Sequence, residues 1–175
     1  FRVFSGAISD GGVVKAINAK GFASATQGQI EKLTQTAIEA GSKGLAYIQA
    51  REEDRSTWRS PFVKRMTDIE VEALREKLNI EPGDLILFGA GDWETVCEVL
   101  GRIRLCCADL QNVLEENNDL DFLWVTEFPL LGFDEEEGKW NAVHHPFTRP
   151  IPEDEDKLKS GEYAGLRAQA YDVIL

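Results

Sequence analysis

The chain has 175 residues, 43% of them hydrophobic and 29% charged, and a formal net charge of −12 at pH 7. That length suits one ordinary domain, or a small domain with part of another, and no apolar run is long enough to cross a bilayer as a helix. Residues 1–118 hold 14 Lys and Arg against 18 Asp and Glu, residues 119–175 hold 5 against 13, and neither half shows the clustered basic footprint of a nucleic-acid surface.

The opening run Phe1-Arg-Val-Phe-Ser-Gly has strand character and no signal-peptide pattern. Without an initial Met it is expected to be cut from a longer protein. Val13–Ile17 is short, β-branched and bounded by Gly11-Gly12 and Gly21, which predicts a strand. A helix is expected from Thr26, whose hydroxyl can cap the free N–H groups while Gln29 completes a capping box. Ile30, Leu33 and Ala37 share one helical face, and Gly41 supplies the left-handed stop. Leu45–Ile48 is the next predicted strand.

Arg51–Ser60 is rich in Glu, Asp and Arg and reads as a surface loop. Thr67 with Glu70 repeats the capping-box pattern ahead of a Val71, Leu74, Leu78 stripe. After the Pro82-Gly83 turn, Asp84–Phe88 reads as a fully buried strand stopped by Gly89-Ala-Gly91. A longer helix is predicted from about Asp92 to Leu110, with Val96, Leu100, Ile103, Cys107 and Leu110 on its buried side. Cys97, Cys106 and Cys107 are odd in number and lack Cys-x-x-Cys spacing. That argues for reduced thiols in a cytosolic protein rather than a disulfide framework or a zinc knuckle.

The polar, turn-prone run Glu115–Asp121 is the expected domain boundary, dividing the chain into residues 1–118 and 119–175. Beyond it Phe122–Phe128 is strand-like, Asp134–Gly138 resembles a solvated hairpin loop, and Trp140–His145 is the expected returning strand. Pro146, Pro150 and Pro152 exclude regular sheet or helix interior nearby. A short acidic helix over Glu153–Ser160 and a strand over Ala168–Leu175 complete the prediction.

Three residues of this second half could carry chemistry. Glu127 would sit at the end of its strand, on the face of Leu123 and Val125, where a carboxylate could hold an ammonium group or a metal ion; it could equally be an exposed strand-end Glu. His144 and His145 would point to opposite faces of an extended segment, so they are not two ligands of one ion. Each could serve a site or satisfy nearby loop carbonyls. Trp124 and Phe128 are expected in a core rather than as stacking platforms. The sequence has no glycine-rich phosphate loop, and Asp134–Glu137 lacks the ligand spacing of a calcium loop.

Residues 1–115 resemble the insertion (GAD) domain shared by bacterial-type aspartyl-tRNA synthetases and subunits of tRNA-dependent amidotransferases. The resemblance rests on Phe4-Ser-Gly-Ala, Gly41-Ser-Lys-Gly-Leu-Ala-Tyr-Ile48, Ser60-Pro61, Gly83-Asp-Leu-Ile-Leu-Phe-Gly89 and Gly101-Arg-Ile-Arg-Leu105. Residues 122–175 resemble the catalytic segment that follows this insertion in the class II synthetase. The matching runs are Leu123-Trp-Val-Thr-Glu-Phe-Pro129, His144-His-Pro-Phe-Thr148, Pro150 and Ala170-Tyr-Asp-Val173.

The resemblance implies an α+β fold: an insertion domain with a mostly antiparallel sheet and helices to one side, plus strands of an incomplete class II antiparallel sheet. Such torn strands are expected to leave apolar faces such as Trp124 and Phe128 exposed. It implies part of a cytoplasmic aspartate–tRNA ligase that uses L-aspartate, ATP with Mg2+, and tRNA. Homodimerisation would go through a segment outside these residues, and no membrane is involved. His144 is implied to bind the amino acid, with His145 and Glu127 as further substrate-side candidates. The class-defining arginine motifs are absent, so these residues alone are expected to be inactive and to bind no cofactor tightly. The competing reading is a stand-alone tRNA-binding or accessory module of the amidotransferase type, which would have no use for residues 122–175. A metal-dependent hydrolase built on Glu127 and the histidines is a third.

Overall fold

The computed structural model describes residues 1–113 and 120–175. Two compact units emerge, Phe1–Asn117 and Asn118–Leu175. Residues 115–119 of the expected boundary run lie outside the described residues.

The first unit is built on a three-stranded antiparallel sheet of order β1-β3-β2, with β1 Val13–Ala19, β2 Ala46–Ala50 and β3 Asp84–Gly91. As the middle strand, β3 is covered on both faces, which explains its unbroken apolar run. Successive side chains alternate between faces. Leu85 and Leu87 meet α2 (Gln27–Glu39) and α4 (Trp93–Leu110) through Ile30, Leu33, Ala37, Val96, Ile103 and Cys107. This layer matches the helices expected to one side. The opposite face is covered as well: Ile48, Ile86 and Phe88 pack with Trp58, Phe62, Val63 and Val71 of α3 (Asp68–Leu78). Each fully buried aliphatic side chain in these layers contributes about 1.5–3 kcal/mol relative to an exposed one.

Both predicted capping boxes form. Thr26 accepts from the N–H of Gln29, and Thr67 from that of Glu70, with the N3 side chain returning to the cap in each case. Gly41 takes φ 98° just beyond α2, a conformation that costs a residue with a Cβ more. At the start of β3, the buried Asp84 collects the N–H groups of Gly21 and Glu81, the Asn18 amide and the Lys20 ammonium. Burial alone would raise its pKa, but these donors outweigh it and hold the carboxyl below its usual value.

Three expectations for this unit need correction. The opening residues form a helix, α1 (Arg2–Ser9), not a strand. Phe1 stacks on Phe62 with centroids 4.8 Å apart, and Phe4 meets both Phe62 and Phe88. Helical spacing brings both rings to that aromatic cluster, while the Ser9 hydroxyl bonds back to the Ser5 carbonyl. The Arg51–Ser60 loop is not wholly at the surface. Trp58 is 5% exposed, its indole N–H donates to the Glu52 carbonyl, and Arg59 bridges to Gln49. Finally, β3 does not stop at Gly89 but runs through to Gly91. Gly89 is needed for close approach, since a Cβ there would lie 3.1 Å from Val96 Cγ1 and 3.3 Å from Leu100 Cγ.

In the second unit β4 (Leu123–Val125) pairs with β7 (Asp172–Ile174), and β5 (Leu131–Asp134) with β6 (Lys139–Ala142), all antiparallel. The 135–138 turn is the expected solvated hairpin loop, with Asp134 Oδ1 receiving the N–H groups of Glu136 and Glu137. A small core of Leu130, Leu166 and Ala168 is joined by Phe128, Leu158 and Ala170. The acidic helix α5 spans Glu155–Ser160 after a 3-10 turn at Pro152–Asp154.

The strands here are shorter than predicted. β4 ends at Val125 because the chain turns at Glu127 (φ 61°) ahead of Pro129. β6 ends at Ala142, where the N–H of Val143 goes to the Leu130 carbonyl. β7 is confined to three residues. Trp124 is 64% exposed and meets Tyr171 edge-on rather than entering a core; Phe128 is half-buried.

Candidate functional site

Glu127 lies outside its expected strand, so alternation along β4 does not orient it. Its Oε1 receives Nη1 of Arg167 at 3.1 Å, and the side chain stays largely exposed. Arg167 is in turn held by Asp154, whose side chain has no exposed surface. Asp154 Oδ2 receives both the backbone N–H of Arg167 at 3.0 Å and its Nε–H at 2.9 Å. Lys157 Nζ reaches Oδ1 of the same carboxylate at 2.9 Å. These bonds, first from Arg167 and then from Lys157, keep Asp154 ionised well below the usual carboxylate range, and the Arg167 guanidinium is raised in return.

An open cleft of about 320 Å3 adjoins this network. Thr126, Glu127, Ile151, Arg167, Gln169 and Tyr171 are among its walls. Gln169 receives the side chain of Arg149 through its Oε1 and sends its own backbone N–H to the Arg149 carbonyl at 2.9 Å. Cationic and anionic groups therefore line one concavity, an arrangement suited to a small zwitterion or acid.

The two histidines occupy the loop after β6 and are exposed. They differ in what they touch. The His144 ring meets Phe128 edge to face, with centroids 5.0 Å apart at 86°. His145 is turned to its own loop, where Nδ1 accepts the N–H of Phe147 at 3.2 Å and the two rings meet edge to face. Strand alternation is not the reason for this difference, since both residues lie past the strand. Glu127 and His144 are linked through Phe128, whereas His145 belongs to the 145–148 turn.

Arg167 and Asp154 were not singled out by the sequence reading. Asp154 sits in the acidic run Glu153–Asp156, and nothing local distinguishes the buried member from its solvated neighbours. Among the described residues no group of three or more His, Cys, Asp or Glu could hold a metal ion. The first unit holds a larger and chiefly apolar cavity of about 660 Å3, walled by residues such as Phe4, Gly44, Phe88 and Val99.

Residues 4–100 match the GAD domain family. The whole chain is 45% identical to an aspartate–tRNA(Asp/Asn) ligase of Opitutus terrae and 44% identical to one of Methylacidiphilum infernorum. It is 46% identical to an aspartate–tRNA ligase of Agathobacter rectalis. All of this chain is covered in each case, but only 29% of the relative's length. Since the family match spans more than half of its residues, this chain belongs to the GAD domain family, and it is similar to bacterial aspartate–tRNA ligases from its first residue to its last.

Proposed function

We propose that these residues are part of an aspartate–tRNA ligase, which activates L-aspartate with ATP and transfers it to tRNA. One observation carries the reading: the similarity to the ligases continues through residues 119–175, where Glu127, His144 and Arg167 lie, and does not stop with the GAD match. Residues 1–118 form the insertion domain, and 119–175 a segment of the catalytic domain. The protein works in the cytoplasm as a homodimer formed through a segment outside these residues.

His144 lies against the substrate, where an imidazole can donate to or charge-pair with a carboxylate of aspartate. Glu127 faces the ammonium group, and His145, turned to Phe147 in its own loop, is the weaker substrate-side candidate. Magnesium and ATP are bound by other parts of the ligase, where they supply the phosphoryl chemistry. The role of this segment is to bind and orient the amino acid.

Two measurements test the proposal. In the full-length ligase His144→Ala should raise the KM for aspartate about tenfold or more, with the KM for ATP little changed. The 175 residues alone should not catalyse ATP–pyrophosphate exchange. An unaltered aspartate KM would remove His144 from the site, and exchange by the isolated chain would show that it carries the whole activity.

A further inference from the structure

We propose that Arg167 is a positioning residue for the substrate-side surface. Clamped by the buried Asp154, it fixes Glu127 and, through the Glu127–Phe128 turn, the His144 ring. The proposal rests on the reading of His144 and Glu127 as amino-acid contacts.

The geometry comes from one planar guanidinium. Its Nε and Nη2 face Asp154 at 2.9 and 3.4 Å, while Nη1 faces Glu127 at 3.1 Å. A rigid fork of this kind sets the mutual orientation of two carboxylates, which the single point charge of a lysine does not. Asp154 has no exposed side-chain surface and is braced by Lys157, so the fork is anchored at its inner end.

At the outer end, Glu127 takes φ 61°, a left-handed conformation uncommon for a residue with a long side chain. Such a residue stays there when its surroundings hold it. Here the Arg167–Ala168 segment does so. Nη1 grips the Glu127 side chain, the Ala168 N–H goes to the Phe128 carbonyl at 2.6 Å, and Pro129 bridges to Arg167. The Phe128 ring leaving this turn is the one that meets His144. His145 takes no part, because its contacts are to Phe147.

The test uses Arg167→Lys, which keeps a cation for the buried Asp154, together with Glu127→Gly, which relaxes the backbone but removes the grip. In the full-length ligase both should raise the KM for aspartate about tenfold to a hundredfold while the KM for ATP stays within error. In the 175-residue chain, which has only two histidines, both variants should shift the His144 ring resonances and leave those of His145 in place. Unmoved His144 resonances would overturn the proposal, as would equal rises in both KM values or a Glu127→Gly variant with unaltered aspartate KM. If His144→Ala leaves the aspartate KM unchanged, the functional reading fails by itself, and the resonances still decide whether Arg167 positions the ring.

Discussion

Asp154 and Arg167 are joined at two points, the backbone N–H and the Nε–H of Arg167 both ending on Oδ2 of a carboxylate with no exposed surface. The bonds from Arg167 and Lys157 depress the folded-state pKa of Asp154. A depressed carboxylate adds stability above its unfolded value, about 3.9, and loses it as pH falls below that toward the folded value. Acidification from about pH 5 to about pH 2 should therefore weaken the second unit steadily. Asp154→Asn should be less stable at pH 7 and show a flatter pH dependence over that interval. Amide exchange at Leu130 and Ala168, whose N–H groups are paired within this unit, reports it; identical pH profiles for the two proteins would contradict the assignment.

The caps of α2 and α3 make a second prediction. Thr26→Ala removes a hydroxyl that satisfies the Gln29 N–H and should lower the stability of the first unit by about 1 kcal/mol. Thr26→Ser should recover most of that loss, and Thr67→Ala should act like Thr26→Ala. Urea unfolding followed by helical circular dichroism measures each change, and an Ala variant as stable as the parent would refute the capping role.

Packing at Gly89 makes a third. Gly89→Ala drives a methyl group toward Val96 and Leu100 and should cost about 1–3 kcal/mol. Val96→Ala opens space at the same spot, so the double variant should lose less than the two single changes together. A double-mutant cycle reads the difference, and strict additivity would mean that the side chains do not compete for that space.

The cysteines make a fourth. Burial, with Cys106 beside it, pushes the Cys107 thiol up to about 12, so at pH 8 it holds almost no thiolate. Cys97 is exposed, Cys106 half-buried and Cys107 buried. Alkylation of the native chain should label Cys97 first and leave Cys107 unmodified until urea unfolds α4. Early modification of Cys107, located by peptide mass mapping, would mean that the α2–α4 layer opens.

The amino-acid sequence by itself determined the first unit's strands and capped helices. Those signals are local: a Thr three residues before Gln29 or Glu70, a stripe such as Ile30, Leu33, Ala37, and an apolar run fit only for a middle strand. It also marked Glu127 by its place before Phe128-Pro129 and carried the resemblance that pointed to His144 and, more weakly, His145. What only the tertiary structure decided is which polar groups are buried and which are paired. Arg167 is 13 residues from Asp154 and 40 from Glu127 in sequence, yet one guanidinium touches both. The helix at residues 2–9 likewise depends on Phe62 and Phe88, far along the chain. Periodicity reports contacts within one element. The partner of a lone charge or ring is chosen by the fold that brings distant segments together.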